Sequence, residues 1–550
     1  MKQITLKIIG LSLLYLLGMQ YAFAQKANPK SQIVTSAQID EVFQAWDDPN
    51  KPGMSVAVIQ GESIVYTKGF GSANLEYDIP ITPQTIFHSA SLSKQFTAFA
   101  ILLLEQEGQL SLTDDVRKYL PEVPDFGTTI TLEHLASHRS GLRDQWRLLE
   151  MAGWRLDDVI KTEQIWNLVC HQEALNFTPG EKNSYSNTGF TLLAEVVARV
   201  SGQSFARFTQ ERIFEPLGMV NTQFYDDYEK IVKNRAYSYQ GEGEELKKSV
   251  LSFSNVGPTS LFTTAEDMAR WAMNFTQLKV GNQALIDQLN TAPALNNGNV
   301  NGYALGQFVG TFEGINLFFH SGSDAGYRAY FARIPDHDLA VVLLGNAASM
   351  SPLNQLVALL ELYLHDYFSS EQESAKKEIF EPDPKTFISL SKQQLEPFTG
   401  QYFEAEEGYK RKLYLKGDTL MYYRSTSSES KLVPIAHNQF KMLGDTEDVT
   451  VVFNSGKNGE PKLDFYINDR APIQMFRFTD VQLTDYPGVF YSRELMATYT
   501  LTIKGDQLVL QHPRREAIAL EAIQKDLFTS KNRNYKKVEF IRDAKGQITS

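Results

Sequence analysis

The C-terminal part of the chain repeats itself. Leu395, Phe398, Gly400 and Tyr402 return 88 positions later as Leu483, Tyr486, Gly488 and Phe490. The same interval carries Leu413, Gly417, Asp418 and Leu420 onto Leu501, Gly505, Asp506 and Leu508, and Leu432, Ile435 and Phe440 onto Leu520, Ile523 and Phe528. One deletion later, Val451, Phe453 and Gly459 align with Val538, Phe540 and Gly546. Four blocks in register mark a duplication. Each copy alternates apolar and polar residues in short segments joined by Gly-Asp turns, which predicts a small, lipocalin-like antiparallel β-barrel. Repeat 1 spans 395–480 and repeat 2 spans 483–550. The second copy reaches Ser550 before counterparts of Leu463 to Ile467 and Ile473 to Phe478, so it is expected to be incomplete or to share strands with the first.

Ahead of the repeats, residues 33–370 read as one α+β unit. Met54 to Gln60 and Ile64 to Gly71 form a hairpin pattern, and Tyr303 to Phe312, Ile315 to Phe319, Tyr327 to Ile334 and Leu339 to Leu344 read as further strands. Strands at both ends with helices between predict one antiparallel sheet built from both termini and packed against helices. The polar, acidic stretch 371–394, with Pro382 and Pro384, is the expected linker.

The first 24 residues have the form of a cleavable export signal: basic Lys2 and Lys7, an apolar run from Ile8 to Leu17 too short to span a bilayer, and Ala22-Phe23-Ala24 before Gln25. No cysteine follows that run, so a lipid anchor is not expected. The sole cysteine, Cys170, cannot make an internal disulfide and reads as a small buried hydrophobe. Together these features place the protein in the bacterial periplasm or outside the cell, without a stable membrane anchor. A net charge of −12 argues against nucleic acid or an anionic surface as partner. Oligomeric state is not encoded in any of these features.

Ser91 and Lys94 stand in Ser-x-x-Lys spacing, one turn apart on one helix face. The spacing recurs at Ser374, Ser389 and Ser428, but only at Ser91 does it open an apolar run, Phe96 to Leu104, that would hold the lysine in a dry setting. There a lysine can lose its proton and deprotonate the serine. Tyr185-Ser186-Asn187 precedes an amphipathic helix that ends at Gly202. His320-Ser321-Gly322 follows a strand, and its glycine would let a substrate backbone approach the strand edge and its amides. His134 and His138 share helical i, i+4 spacing, but Leu135 follows the first, so the zinc-peptidase glutamate is missing and no metal is expected. No cofactor is expected either.

Taken in this order, the three motifs resemble the serine β-lactamase and penicillin-binding-protein superfamily, in particular its β-lactamase-related branch of D-aminopeptidases and esterases. The resemblance covers about residues 36–365 and includes Ile130 to Leu142, Phe214 to Met219 and Leu261 to Ala269. It implies a small amide or ester substrate, such as a D-amino-acid peptide, attacked by Ser91 with Lys94 assisting. It also implies Tyr185 as proton relay, Asn187 contacting substrate, and the backbone N–H groups of Ser91 and Ser323 as the oxyanion hole; either Lys94 or Tyr185 could be the main base. His320, Ser321 and Gly322 would be substrate-binding. Relatives that turn over β-lactams usually have Lys-Thr-Gly there, so His320 favours aminopeptidase or esterase activity over β-lactamase or DD-carboxypeptidase activity. The alternative from another class is a catalytically silent peptide- or glycan-binding protein.

Overall fold

The computed structural model describes residues 34–365, 367 and 379–550, apart from 405–407, 427, 457, 458, 460 and 469. The export signal therefore lies outside the described residues, as does the 371–378 part of the linker. What is described of the linker beyond that runs along the first repeat, with Phe380 N–H bonded to Asp445 O and Ile388 N–H to Pro434 O.

The unit ahead of the repeats is organised on a six-stranded antiparallel sheet that joins both of its ends. Its strands are β1 (Met54–Gln60), β2 (Ser63–Phe70), β3 (Phe308–Phe312), β4 (Ile315–Asp324), β5 (Tyr327–Ile334) and β6 (Leu339–Gly345), in the order β3-β4-β5-β6-β1-β2. The seam between the termini is β1 on β6, from Met54 opposite Gly345 to Gln60 opposite Leu339. Every residue of β6 is buried, because helices cover both faces of the sheet's centre. One face packs on the N-terminal helix Ser36–Phe43 and the C-terminal helix Pro352–Tyr363, through Phe43, Leu356 and Leu360. The other face joins the main core with helices α1 (Ser93–Gln106), α2 (Gln145–Met151), α3 (Asn187–Ser201) and Ala265–Gln277.

Two sequence expectations are corrected here. The strand predicted from Tyr303 begins only at Phe308, because Tyr303 is withdrawn into the core with its hydroxyl on His320. Cys170 is only partly buried, being the last residue of the helix Thr162–Cys170.

The duplication is visible as structure. Repeat 1 is a closed barrel of eight antiparallel strands, sealed where Tyr402 pairs with Arg477 and Glu404 with Met475. In repeat 2, Gly488–Ser492 falls 88 residues after the barrel's first strand, Gly400–Glu404, and five more strands follow in the same order. Repeat 2 is a six-stranded sheet that does not close. Its apolar face has another partner instead: Tyr486, Leu501, Leu508 and Leu520 belong to the same buried cluster as Leu148 and Leu149 of α2. The barrel keeps a core of its own, from Leu395 to Met475.

Candidate active site

Ser91 lies on a short 3-10 turn, Ala90–Leu92, that runs directly into α1. The turn is tightly held. Ser93 Oγ donates to Ala90 O at 2.6 Å and accepts from Leu261 N at 3.2 Å. Ala90 adopts φ +50°, a conformation that L residues keep only where the surroundings enforce it. The half-buried Ser91 is thereby presented at the head of a helix that is buried from Ser93 to Leu104.

Lys94 is fully buried one turn along, and its Nζ has three neighbours: Ser91 Oγ at 2.9 Å, Asn187 Oδ1 at 2.9 Å and Pro258 O at 2.8 Å. Amide and peptide oxygens can only accept. A neutral Lys94 therefore spends both its hydrogens on Asn187 and Pro258, and directs its lone pair at the Ser91 hydroxyl. Burial makes that neutral form accessible, pushing Lys94 down to about 7, although the Asp324 and Asp144 carboxylates oppose the shift.

Asn187, the first residue of α3, is oriented from behind. Its backbone N–H and its Nδ2 both donate to Asp144 Oδ2, at 2.8 and 2.7 Å. The other carboxylate oxygen, Asp144 Oδ1, caps α2 through Trp146 N and Arg147 N. The amide of Asn187 thus cannot flip without placing oxygen against carboxylate.

Tyr185 is 39 % exposed overall, while its hydroxyl is hydrogen-bonded to Ser91. Burial of that hydroxyl holds it far above the ordinary phenol range; the hydrogen bond to Ser91 offsets this in part, and the Asp144 and Asp324 charges add to it. It stays a neutral phenol at any physiological pH. The ring lies 4.1 Å, centroid to centroid, from buried His138, whose Nδ1 accepts from Ser186 N at 3.1 Å. His134 Nδ1 similarly accepts from Thr131 N at 3.3 Å, within a capping box. The two histidines of the i, i+4 pair are thus engaged with separate backbone amides.

Strand β4 supplies the opposite side. Strand β3 pairs with it only from Ile315 to Phe319, so among the described residues His320 to Asp324 have no strand on that outer edge. On the inner edge they pair with β5, from His320 opposite Phe331 to Asp324 opposite Tyr327. Gly322 faces the nucleophile turn so closely that a Cβ there would stand 2.2 Å from Ser89 O. Ser321 and Ser323 are exposed on the other face of the strand.

His320 lies deep in the wall of the cleft. It is 1 % exposed, and both ring nitrogens are taken by protein atoms: Nδ1–H donates to Ser321 O at 2.6 Å, and Nε2 accepts from Tyr303 O–H at 3.1 Å. Burial, with Lys94 nearby, depresses it to about 3. The neutral ring is held by Tyr303 and its own strand.

The sequence reading missed several participants. Asp144, the Pro258 carbonyl, His138 as a support for Tyr185, and Asp324 all converge here from separate segments. Asp324 accepts from Thr259 Oγ1 and is raised to about 6 by burial, against the pull of that hydrogen bond and of Lys94 and Arg328. The one available cue was Asp144 itself, an acidic residue placed as a helix N-cap.

A cleft of about 1830 Å³ opens at Tyr185, Asn187, Ser323 and Asp324. Fold and site together have the form of a serine hydrolase, with Ser91 beside the buried Lys94. The chain belongs to the Beta-lactamase family, whose family model matches residues 39–362. It is 28% identical over 334 residues to a penicillin-binding protein of Bacillus subtilis (strain 168), covering 58% of this chain and 73% of that one. It is 26% identical over 328 residues to the D-aminopeptidase of Gluconobacter oxydans (strain 621H), covering 59% of this chain and 62% of the relative, less than two thirds of its length. Among solved structures, the octameric penicillin-binding protein homologue from Pyrococcus abyssi superposes with a TM-score of 0.54 at 24% identity, over 81% of this chain and 100% of that one. The D-amino acid amidase from Ochrobactrum anthropi, complexed with L-phenylalanine amide, gives 0.51 at 21%, over 61% and 99%. At these identities the structural likenesses establish the fold.

Proposed function

We propose that the protein is an exported acyl-serine hydrolase of small amides or esters, with D-amino-acid peptides as the favoured class. The observation that carries this reading is the three-way contact of Lys94 Nζ with Ser91, Asn187 and Pro258. Ser91 Oγ attacks the substrate carbonyl carbon and passes its proton to the Lys94 lone pair. The carbonyl π electrons move onto oxygen, which the N–H groups of Ser91 and Ser323 receive. On collapse the C–N or C–O bond breaks, and the leaving group takes a proton from Tyr185, which Lys94 restores. Water then repeats the sequence on the acyl-enzyme and frees Ser91. In this reading Lys94 is the base, because it falls to about 7 while Tyr185 is held protonated.

The family relation to a D-aminopeptidase supports the D-peptide preference, and the buried, neutral His320 speaks against a β-lactam carboxylate anchored at that position. The division into a leader (1–24), catalytic unit (33–370), linker (371–394) and repeats (395–480, 483–550) belongs to the same reading. The test is turnover of a short acyl ester, a D-alanine anilide, a D-Ala-D-Ala peptide and a cephalosporin by residues 25–550, beside Ser91→Ala. Hydrolysis of the ester or anilide that Ser91→Ala abolishes is expected; turnover unaffected by Ser91→Ala would overturn the reading. Cephalosporin turnover alone would move the protein to the β-lactamases.

A further inference from the structure

Repeat 2 reaches the loop that carries Asp144. Glu494 stands in the turn between the strands Gly488–Ser492 and Ala497–Lys504. The turn is pinned, because the next residue, Leu495, is buried in the cluster that repeat 2 shares with the catalytic unit. Glu494 Oε1 accepts from Arg143 Nη1 and from the Glu173 N–H, the latter at 2.7 Å. Arg143 Nη1 also donates to Gln172 Oε1 at 2.9 Å. The Arg143 and Glu494 side chains are 28% and 24% exposed, so loss of either would strand the other's charge in a partly buried setting.

Arg143 directly precedes Asp144, and both lie against the start of α3. Arg143 O accepts from Thr188 Oγ1 at 2.6 Å, while Asp144 Oδ2 accepts both bonds from Asn187. The backbone is thus fixed beside the carboxylate that orients Asn187, and the guanidinium is the part that can change partner. Glu494 is its only carboxylate partner among the described residues. Without Glu494, the next carboxylate along the chain is Asp144 itself. Asp144 has no oxygen to spare: Oδ1 caps α2 and Oδ2 holds Asn187. A guanidinium arriving there would displace the amide, because its bonds to a carboxylate are charge-assisted at both ends.

We propose that Glu494 of repeat 2 is a positioning residue for the hydrolase site: it holds the Arg143 guanidinium away from Asp144, and so leaves that carboxylate to Asn187 and, through Asn187, to Lys94. The inference rests on the acyl-serine reading of Ser91 and Lys94. It gives repeat 2 a part in the reaction that needs no contact with substrate. A second consequence is electrostatic. The Asp144 charge raises Lys94, so an Arg143 ion pair on Asp144 would weaken that pull and let the lysine lose its proton at lower pH.

The test uses residues 25–550 and a p-nitrophenyl acyl ester. Glu494→Ala is expected to lower kcat about tenfold with KM little changed, and to move the acid limb of the pH–rate profile to lower pH. Adding Arg143→Ala removes the competitor, so the double variant is expected to regain most of the lost kcat and the wild-type limb. Glu494→Gln keeps an acceptor for the Glu173 N–H and loses only the charge; it should fold as the wild type does and show the same direction of shift. Hydrogen–deuterium exchange at the Asn187 N–H, which does not depend on turnover, is expected to quicken in Glu494→Ala and to slow again in the double variant. A double variant no better than Glu494→Ala would mean that the ion pair only braces the two units, and would overturn the proposal. Wild-type kcat in both Glu494 variants would overturn it too. Absence of any Ser91-dependent turnover in the wild type would sink the hydrolase reading alone; the exchange at Asn187, quickened or unchanged, would then decide for or against Glu494.

Discussion

Asp144 and Asn187 are joined by two hydrogen bonds to a single carboxylate oxygen, 2.8 Å from the backbone N–H and 2.7 Å from Nδ2. The pairing decides which end of the amide faces Lys94, and so where the lysine's hydrogens go. It also adds negative charge near Lys94, which favours the ammonium form.

Asp144→Ala is therefore expected to act on both counts. Freed to turn, Asn187 no longer holds Lys94 in line, which should cost about 10²-fold in kcat/KM. Removal of the charge should also move the acid limb of the pH–rate profile to lower pH, because Asp144 raises Lys94. A rate loss with an unmoved limb would mean that Asp144 only supports the fold.

The wild-type profile follows from Lys94 itself. The base must be neutral, so kcat/KM is expected to rise with pH and level off above about 7. Stability carries the same signature. Lys94 is lowered from 10.5 to about 7 on folding, so between those values the unfolded chain holds a proton that the native state does not. Native stability from this group thus rises with pH through that window, and the penalty is fully present below about 7. Lys94→Met removes the penalty: it should abolish turnover yet raise Tm more at pH 6 than at pH 10. Equal Tm shifts at the two pH values would refute the assignment.

Gly322→Ala tests the approach of β4 to the nucleophile. The new methyl would meet the backbone oxygen of Ser89 at 2.2 Å, and neither partner is a flexible side chain. Either the strand or the Ala90–Leu92 turn must move, displacing Ser323 from Ser91. A loss of 10²-fold or more in kcat is expected, with far-UV circular dichroism unchanged. Wild-type kcat in this variant would mean that the amides of this strand take no part.

Much of this site was legible before any coordinates. Ser91 and Lys94 are three apart on a helix, a spacing that forces proximity, and the apolar run from Phe96 told that the lysine would be dry. The repeat was legible because identical spacing in both copies reflects identical strand lengths: Gly400–Glu404 and Gly488–Ser492 fall 88 apart. What escaped was whatever depends on contacts between distant segments. Asp144 meets Asn187 across 43 residues, and Pro258 offers only a carbonyl, which no residue type advertises. The depth of His320 is likewise hidden, because a strand's alternation gives two faces without saying which is the wall. Repeat 2 is expected from its sequence to be incomplete or to share strands, and it is an open sheet; nothing in its alternation announces that its apolar face is covered by α2.

That shared face leads to the last prediction. Tyr499 of repeat 2 donates its hydroxyl to Met151 O, the last residue of α2, and the buried clusters of repeat 2 and the catalytic unit are one. The barrel's main cluster is separate, and a small second one, Phe403 with Ile523 and Leu527, joins the barrel to repeat 2. Calorimetry on residues 25–550 should accordingly show repeat 2 melting with the catalytic unit, and the barrel in a transition of its own. Tyr499→Phe leaves Met151 O without its donor and should cost about 1–2 kcal/mol, lowering the Tm of the shared transition and leaving the barrel's in place. Because Asp144 caps α2, the same loosening should reach the Asn187 amide and appear as a modest fall in kcat. If Tyr499→Phe instead shifted a third, independent transition with kcat intact, repeat 2 would be a separate folding unit and the link from its sheet to Lys94 would be broken.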